Sequence, residues 1–293
     1  MLEFRPLTLA DLPSVRRDLS RDLPRTCDFS VGGLLLWRDY LQVQWAESDG
    51  SVLYFLRLPD GTEGFQVPAD PNPELLIQLR EYCKKNGKVC RFLFVPAERK
   101  DEFFDLFGNV TVTDQRDWYD YLYRRDDLIT YGGKKLRGQR NHVNKFRTAY
   151  PNWTFEKATA ADVDRLREFY RNFRENNQKD APAWREEEKK IQEVFDHFDE
   201  YGFFCGILTV DGVVAGFSLG ETVGDTLMVH TEKADRNVAG VYPMLASRFV
   251  EAFADGSVRY VNREDDSGDE GLRTAKLSYH PCALLEKCMI EIP

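Results

Sequence analysis

A polar segment near the C-terminus carries the residue types that acid–base chemistry and anion binding require. Residues 258–262 alternate as in a β-strand, and glycines at 268 and 271 separate that strand from a predicted helix. The polar side chains that end the strand or lie on the helix are Asn262, Arg263, Glu264, Asp265, Arg273, Lys276 and Tyr279. Because ligands of α/β sheets bind outside the carboxyl ends of the strands, this segment is a candidate site.

The side-chain chemistry indicates a role for each charged group. Glu264 or Asp265 would position or deprotonate an acceptor amine, and Arg273 and Lys276 would bind a phosphate or an acyl oxyanion. The alternative is a solvated loop in which these charges pair with one another. We predict a polar pocket bordered by Asn262, Asp265, Arg273 and Lys276.

A second predicted strand carries His230 and Glu232, two residues apart and therefore expected on the same side of the sheet. His230 could act as a general base near neutral pH, oriented by Glu232. The alternative is a buried structural pair. Together with Asp265 and Lys276, these two residues form the predicted catalytic set.

The first half of the chain lacks such groups at the equivalent strand ends. Residues 65–68 and 95–96 offer one amide and two prolines, and no titratable side chain. We therefore predict that the chemistry belongs to the second half alone.

A basic segment joins the halves. Residues 128–155 contain no Asp or Glu and predict a helix over 133–148. Its candidate anion-binding residues are Lys134, Lys135, Arg137, Arg140 and His142. Lysines near a helix N-terminus oppose the helix dipole, and a bound phosphate would relieve that conflict. The P-loop pattern is absent, and the alternative is a basic surface helix that balances an acidic protein.

Composition narrows the class of protein. The 293 residues favour two domains, and a net charge of −9 argues against indiscriminate nucleic-acid binding. The six cysteines form no Cys-x-x-Cys pair and no zinc-type spacing, so no metal is predicted. The N-terminus does not resemble a signal peptide and the apolar runs are short, which predicts a cytoplasmic protein with reduced thiols.

An internal repeat predicts the architecture. Residues 4–17 and 155–168 share Phe, Thr, Ala, Asp and Arg at an offset of 151, each as a strand, a Thr cap and a helix. Both halves then continue in the order β-α-α-β-β-β-α-β-α-β, and the last strands are predicted at 118–123 in the first half and 284–292 in the second. That order resembles the GNAT acyltransferase fold. The predicted class is therefore α/β (α+β) with two tandem GNAT-like domains, 1–127 and 128–293, each a mixed, mostly antiparallel sheet with helices on both faces.

Four spaced motifs resemble one bacterial family: GKKLRGQRNHVNKF (133–146), HTEKA (230–234), NRED (262–265) and GLRTAKLSY (271–279). The chain is similar to uncharacterised proteins grouped with the C-terminal domain of phosphatidylglycerol lysyltransferases. The resemblance implies tandem GNAT-like domains. Through the more distant Fem-type transferases, it also implies transfer of an aminoacyl group from a tRNA ester to an amine or hydroxyl.

Two departures from the family patterns matter. The lipid-modifying members carry a large membrane domain, which this sequence does not predict. The GNAT pyrophosphate loop appears only as RNVAGV (236–241), where Ala239 and Val241 add bulk beside a diphosphate. That weakens the case for coenzyme A.

The leading hypothesis is an aminoacyltransferase that needs no cofactor beyond its aminoacyl-tRNA donor. Its partners would be tRNA and a small-molecule, peptide or lipid-headgroup acceptor. One alternative is an acyl-CoA-dependent N-acyltransferase. Another is a non-catalytic module that binds an anionic ligand such as RNA. The donor, the acceptor and the oligomeric state stay open.

Overall fold

The computed structural model describes residues 2–19, 23–48, 50–69, 72–177 and 181–293. The chain forms two compact units. Unit 1 comprises residues 1–120, 265–268 and 284–293, and unit 2 comprises residues 121–264 and 269–283.

Each unit is built around a sheet of seven strands. The strands of the first sheet are β1 (Arg5–Pro6), β2 (Gln44–Ser48), β3 (Ser51–Arg57), β4 (Glu63–Gln66), β5 (Cys90–Pro96), β6 (Thr111–Asp114) and β14 (Lys287–Ile292). The strands of the second sheet are β7 (Asp120–Arg124), β8 (Trp153–Lys157), β9 (Phe204–Val210), β10 (Val213–Val223), β11 (Thr226–Ala234), β12 (Tyr260–Asn262) and β13 (Ala283–Leu285).

Helices connect these strands. In unit 1 they are α1 (Leu12–Asp18), α2 (Val31–Leu35), α3 (Pro73–Lys85) and α4 (Lys100–Phe107). In unit 2 they are α5 (Arg125–Thr130), α6 (Arg137–Ala149), α7 (Val163–Asn176), α8 (Pro182–Asp196), α9 (Phe198–Tyr201), α10 (Val241–Phe253) and α11 (Glu270–Leu277). Among the described residues, no helix combines the length and the apolar character that crossing a membrane requires.

The two sheets have the same strand order. The first runs β1-β2-β3-β4-β5-β14-β6, and the second, read from its opposite edge, runs β8-β9-β10-β11-β12-β7-β13. In each sheet one internal pair is parallel, β4 with β5 and β11 with β12. The pairs β1–β2, β2–β3, β3–β4, β5–β14, β6–β14, β7–β12, β8–β9, β9–β10 and β10–β11 are antiparallel. The predicted fold class is confirmed.

The repeat detected in the sequence occupies equivalent places. β1 and β8 lie at matching sheet edges, and each is followed by a capping box, formed by Thr8 with Asp11 and by Thr159 with Asp162. The two Thr residues have nearly the same φ, −127° and −126°. Each cap satisfies backbone amides that the helix leaves unpaired, which explains why both copies keep the Thr and Asp spacing.

Each sheet contains one strand from the other half of the sequence, which was not predicted. We expected 118–123 to end the first half and 284–292 to end the second. Instead β14 pairs with β5 and β6 in the first sheet, and β7 pairs with β12 in the second. Strand patterns specify which face is buried but not which strand is the neighbour. The unit boundaries therefore differ from the predicted boundary between residues 127 and 128.

Candidate functional site

The candidate site of unit 2 begins where two parallel strands separate. β11 pairs with β12 only from Thr226 opposite Tyr260 to Met228 opposite Asn262. β11 then continues to Ala234, whereas the chain after Asn262 no longer pairs with β11 and stays hydrogen-bonded to β7 through Arg263 and Glu264. The two parallel strands thus separate at the carboxyl end of β12, where ligands of α/β sheets commonly bind.

A strained turn follows β12. Asn262 is fully buried, and its Oδ1 accepts a hydrogen bond of 2.6 Å from the amide of Glu264. Glu264 has a φ of 58°, in the left-handed region that favours glycine. The Glu264 carbonyl accepts from the Tyr121 amide at 3.1 Å, and the Arg263 amide donates to the Tyr121 carbonyl at 3.1 Å. β7 therefore fixes the turn from the neighbouring strand.

Lys276 supports the same turn from helix α11. Its side chain is buried, and Nζ donates a hydrogen bond of 2.6 Å to the Arg263 carbonyl. Nζ also lies 5.7 Å from the centre of the Tyr121 ring. The Lys276 carbonyl accepts from the Tyr123 hydroxyl at 2.8 Å. Lys276 thus joins α11 to the turn, which is a different contact from the predicted one with a phosphate or an oxyanion.

Arg263 lies in an aromatic enclosure beside a carboxylate. Its Nε donates to Glu232 Oε2 at 2.8 Å, and Nη2 contacts the same oxygen. The guanidinium carbon lies 4.5 Å from the centre of the Tyr279 ring and 5.8 Å from that of Tyr123. The Tyr131 ring lies 6.0 Å from the Tyr279 ring. We call Tyr123, Tyr131 and Tyr279 the tyrosine box.

The tyrosine box is largely shielded from solvent, and the ion pair in it stays charged. The side chains of Arg263 and Glu232 are each 11% exposed. Burial opposes the charged form of Arg263, yet Glu232 and the tyrosines raise its pKa, so the guanidinium stays charged. Burial also raises the pKa of Tyr279 to about 12, so its hydroxyl stays protonated at neutral pH. Among the described residues, Nη1 of Arg263 is buried and has no hydrogen-bond partner, which leaves one donor for a further group.

His230 is held between two carboxylates. Its Nδ1 lies 2.7 Å from Glu264 Oε1 and its Nε2 lies 2.9 Å from Glu221 Oε1, and its side chain has no exposed surface. Burial opposes protonation, but the hydrogen bonds to Glu221 and Glu264 outweigh it and raise the pKa of His230 to about 9. At neutral pH His230 is therefore an imidazolium with both N–H groups engaged. This geometry disfavours the predicted role as a general base.

A β-bulge separates His230 from Glu232. On β11, Thr231 lies opposite Leu219 and Val229 opposite Gly220, so His230 is the extra residue. Glu232 lies opposite Ser218 on β10, whereas His230 bonds to Glu221 of the same strand. Ser218 and Glu221 are three residues apart, so their side chains lie on opposite faces of the sheet. The expectation that His230 and Glu232 share one side of the sheet is thus wrong, because the bulge interrupts the alternation on which it rested.

Two further residues of the predicted pocket are Asp265 and Arg273. Asp265 belongs to unit 1, and its Oδ1 accepts hydrogen bonds from the amide and the hydroxyl of Ser267, at 2.9 and 2.8 Å. Arg273 lies on α11, one turn before Lys276, and its amide donates to Asp269. The predicted residues that the structure brings together in unit 2 are His230, Glu232, Asn262, Arg263, Glu264, Lys276 and Tyr279.

The basic helix starts later than predicted. α6 begins at Arg137, so Lys134 and Lys135 lie in the turn that precedes it, and all three side chains are exposed. The predicted anion-binding residue Arg140 donates through Nη1 to the carbonyls of Tyr131 and Gly133, closing that turn.

α6 also packs against the entrance of α10. His142 is exposed, but its carbonyl lies where a Cβ on Gly240 would be, so only glycine fits at the N-cap of α10. The Ala239 amide donates to the Tyr150 hydroxyl at 3.2 Å. One amide of the RNVAGV loop is therefore already engaged, which further weakens the case for a diphosphate there.

Unit 1 contains a buried charge cluster that sequence reasoning missed. Lys287 Nζ lies 2.6 Å from Asp28 Oδ2, 2.8 Å from Asp120 Oδ1 and 3.4 Å from Cys27 Sγ. Burial raises the pKa of Asp28 to about 6, Lys287 opposes that rise and Asp120 adds to it. Cys27, Asp28 and Asp120 are donor types that a metal uses, but the Lys287 ammonium contacts all three.

The first half of the chain was predicted to lack titratable groups at the carboxyl ends of its strands, because the strand that carries Lys287 was assigned to the sheet of the second half. Lys287 pairs with Pro96 at the carboxyl end of β5 through the exchanged strand β14. In unit 2, Glu221 and two members of the tyrosine box, Tyr123 and Tyr131, were also missed. A glutamate that closes an apolar strand pattern was the one available signal for Glu221.

Comparisons with known proteins identify relatives. Residues 20–290 match the profile of the family described as phosphatidylglycerol lysyltransferase, C-terminal. An uncharacterized protein of Mycoplasmoides gallisepticum is 22% identical over 173 residues, which cover 59% of this chain and 56% of that protein. The chain thus spans little more than half the length of that relative.

Solved structures share the fold. A conserved protein of unknown function from Bacteroides thetaiotaomicron has a TM-score of 0.92 and 29% identity, with both chains fully covered. L-PGS from Bacillus licheniformis has a TM-score of 0.67 and 13% identity, covering 98% of this chain and 92% of that one. FemX has a TM-score of 0.62 and 11% identity, covering 99% and 97%.

Proposed function

Because the chain belongs to the family of phosphatidylglycerol lysyltransferase C-terminal domains, we propose that it transfers an aminoacyl group from aminoacyl-tRNA to an amine or hydroxyl acceptor. The aminoacyl ester is already activated, so the protein has to orient it and stabilise the charge that develops during transfer. Aminoacyl-tRNA is a cytoplasmic donor, and we place the reaction in that compartment.

The observation that carries this proposal is Arg263 with its unpaired Nη1. A guanidinium fixed by Glu232 and held against Tyr279 keeps one donor available at the carboxyl ends of β11 and β12. As the acyl carbonyl is attacked, its oxygen gains negative charge, and a preorganised cation in a dry site stabilises that charge more than water does. In this proposal Arg263 contacts the acyl oxygen, Glu232 orients Arg263, and Lys276 supports the turn.

Helix α6 supports the choice of tRNA as partner. Lys134, Lys135, Arg137 and His142 are exposed on or just before a helix that packs on the entrance of α10. Exposed cations without competing carboxylates suit contacts with a phosphate backbone. We assign these residues to the tRNA and leave Arg140 to the turn that it closes.

A transfer assay tests the proposal. The protein is incubated with a mixture of radiolabelled aminoacyl-tRNAs and, separately, a polyamine, a short peptide with a free N-terminus, or phosphatidylglycerol vesicles. We expect loss of label from tRNA with the appearance of labelled acceptor in one arm. Arg259→Lys is the matched control for Arg263→Lys, because Arg259 stacks on Tyr260 at the other end of β12 and is exposed.

Two results would contradict the proposal. One is a wild-type protein that releases no label above spontaneous ester hydrolysis in any arm. The other is a rise in melting temperature with acetyl-coenzyme A together with acetylation of an acceptor, which would favour the acyl-CoA-dependent alternative. Binding of tRNA without turnover would favour a non-catalytic binding module.

A further inference from the structure

Glu264 is anchored at three points in a backbone conformation that side-chain-bearing residues rarely adopt. Its φ is 58°, its amide donates to Asn262, its carbonyl accepts from Tyr121, and its carboxylate bonds to His230. Such strain persists only where the surroundings over-determine it, and it is concentrated at functional sites. These three contacts therefore fix Glu264 in that conformation.

The turn sends two neighbouring side chains in different directions. Arg263 joins Glu232 and the tyrosine box, whereas Glu264 joins His230 and Glu221. Relaxation of Glu264 to an ordinary φ would rotate the peptide that precedes it. The Arg263 carbonyl would then lose Lys276 Nζ, and the guanidinium would lose its alignment with Glu232.

We propose that His230 is a positioning residue: its imidazolium, held between Glu221 and Glu264, keeps Glu264 left-handed and thereby directs Arg263 into the tyrosine box. We call His230, Glu221 and Glu264 the histidine clamp. The inference deepens the proposed function, since Arg263 is the group that contacts the acyl oxygen there. Its structural part can be tested without any transfer activity.

The charge balance explains why the clamp needs the protonated ring. The groups that face His230 are Glu221 from β10, Glu264 from the turn after β12, and the ring of Phe203 at 5.3 Å. An imidazolium donates two hydrogen bonds and holds both carboxylates, whereas a neutral imidazole has one N–H and releases one of them. A pKa of about 9 keeps the clamp closed throughout the neutral range.

The first experiment follows the Nε–H resonance of Arg263 by NMR in the wild-type protein, from about pH 7 to about pH 10. Arg99 is the internal control. Its Nε donates to Glu102 Oε1 at 2.8 Å and its side chain is 10% exposed, against 2.8 Å and 11% for Arg263. We expect the Arg263 signal to weaken as the pH passes about 9 while the Arg99 signal persists. Parallel behaviour of the two signals would overturn the proposal.

The second experiment uses the conformational freedom of glycine. His230→Gln should weaken the Arg263 signal at neutral pH and, in the active enzyme, lower kcat about tenfold with little change in KM. Glu264→Gly adopts a positive φ without steric cost, so the double variant His230→Gln/Glu264→Gly should recover the signal and most of kcat. The double variant His230→Gln/Glu264→Ala should recover neither.

The outcomes separate the two proposals. Retention of the Arg263 signal in His230→Gln, or failure of the glycine variant to restore it, would show that His230 has only a general structural role. If the wild-type protein transfers no aminoacyl group, the proposed function fails, and the two NMR experiments still decide the clamp.

Discussion

The interiors of unit 1 and unit 2 have the same strand order but different side chains. Of the largest fully buried side chains among the described residues, unit 1 contributes five phenylalanines. Unit 2 contributes five tyrosines and two phenylalanines. A buried phenol usually takes a hydrogen-bond partner, whereas a phenyl ring cannot. The hydroxyls of Tyr123, Tyr131 and Tyr201 donate to the Lys276 carbonyl, the Pro243 carbonyl and a Glu193 carboxylate oxygen, so these large side chains organise polar groups in unit 2.

Each unit also buries a cation between two carboxylates, with a different result. In unit 1 the side chains of Lys287 and Asp120 have no exposed surface, and that of Asp28 is 13% exposed. In unit 2 the carboxylates around His230 are 17% and 14% exposed, and the cluster adjoins a strained turn that presents Arg263. Exposure of the carboxylates therefore does not separate the two clusters, but their surroundings do, since a cluster beside a strained turn and an unpaired donor can position a reacting group. We propose a structural role for the Lys287 cluster and place the candidate site in unit 2.

The largest expected effect comes from removing Lys287, the cation of the buried cluster in unit 1. Lys287→Met should lower the free energy of unfolding by about 3–5 kcal/mol, because it leaves Asp28 and Asp120 buried without their cation. Urea denaturation measures the change. Lys88→Met, which breaks an exposed pair with Glu63, is the control and should cost about 1 kcal/mol or less. A loss below that of the control would remove the structural role of Lys287.

The second prediction tests whether Arg263, in contrast to Lys287, acts in the transfer reaction. Arg263→Lys keeps the charge but loses the planar fork, so kcat for transfer should fall about 100-fold or more with little change in KM. Steady-state kinetics with aminoacyl-tRNA measure both constants. The matched variant Arg259→Lys should behave as wild type. Equal losses in the two variants would mean that Arg263 acts as an ordinary stacked arginine.

The third prediction uses pH to distinguish the clusters. The pKa of His230 is raised from 6.5 to about 9, so its stabilisation is full below pH 6.5 and is lost as pH rises through about 9. The loss should be on the order of 3 kcal/mol. The pKa of Asp28 is raised from 3.8 to about 6. The stabilisation from protonated Asp28 is therefore also lost as the pH rises, but between pH 3.8 and about 6, below neutral pH.

Unfolding free energies measured across both windows check this prediction. In His230→Gln the change between neutral and alkaline pH should vanish, while the acidic change in unit 1 should remain. An alkaline loss of the same size in the variant would assign it to another group.

The fourth prediction concerns the exposed cations before α6. Lys134→Gln combined with Lys135→Gln should flatten the dependence of log affinity for tRNA on log salt by about one for each lost phosphate contact. Both side chains are exposed, so the unfolding free energy should hardly change. Filter binding across a salt series provides the slope. An unchanged slope would exclude both lysines from the tRNA contact.

The smallest expected effect tests the polar interior of unit 2. Tyr123→Phe removes the hydrogen bond to the Lys276 carbonyl and should cost about 1 kcal/mol. The reverse change in unit 1, Phe92→Tyr, buries a hydroxyl between Phe65 and Phe103 and should cost more. Thermal unfolding of both variants compares them. A larger loss for Tyr123→Phe would contradict the contrast between the two interiors.

The sequence by itself determined the repeat, the fold class and the position of Asn262, Arg263 and Glu264 at the end of a strand. Those features rest on local rules: Thr and Asp at a fixed spacing form a capping box wherever they occur, and a strand that runs into Asn262, Arg263 and Glu264 places them at its carboxyl end. Each rule involves residues within a few positions of one another.

Only the tertiary structure decided the pairings. The exchange of β7 and β14 brings Lys287 to Asp28 and Asp120, which no local pattern signals because either strand could pair in either sheet. The bulge at His230 moves it away from Glu232, since one extra residue reverses the alternation from which their shared face was predicted. Side chains that are distant in sequence meet because hydrogen-bond register and burial select their partners, and those are properties of the whole sheet.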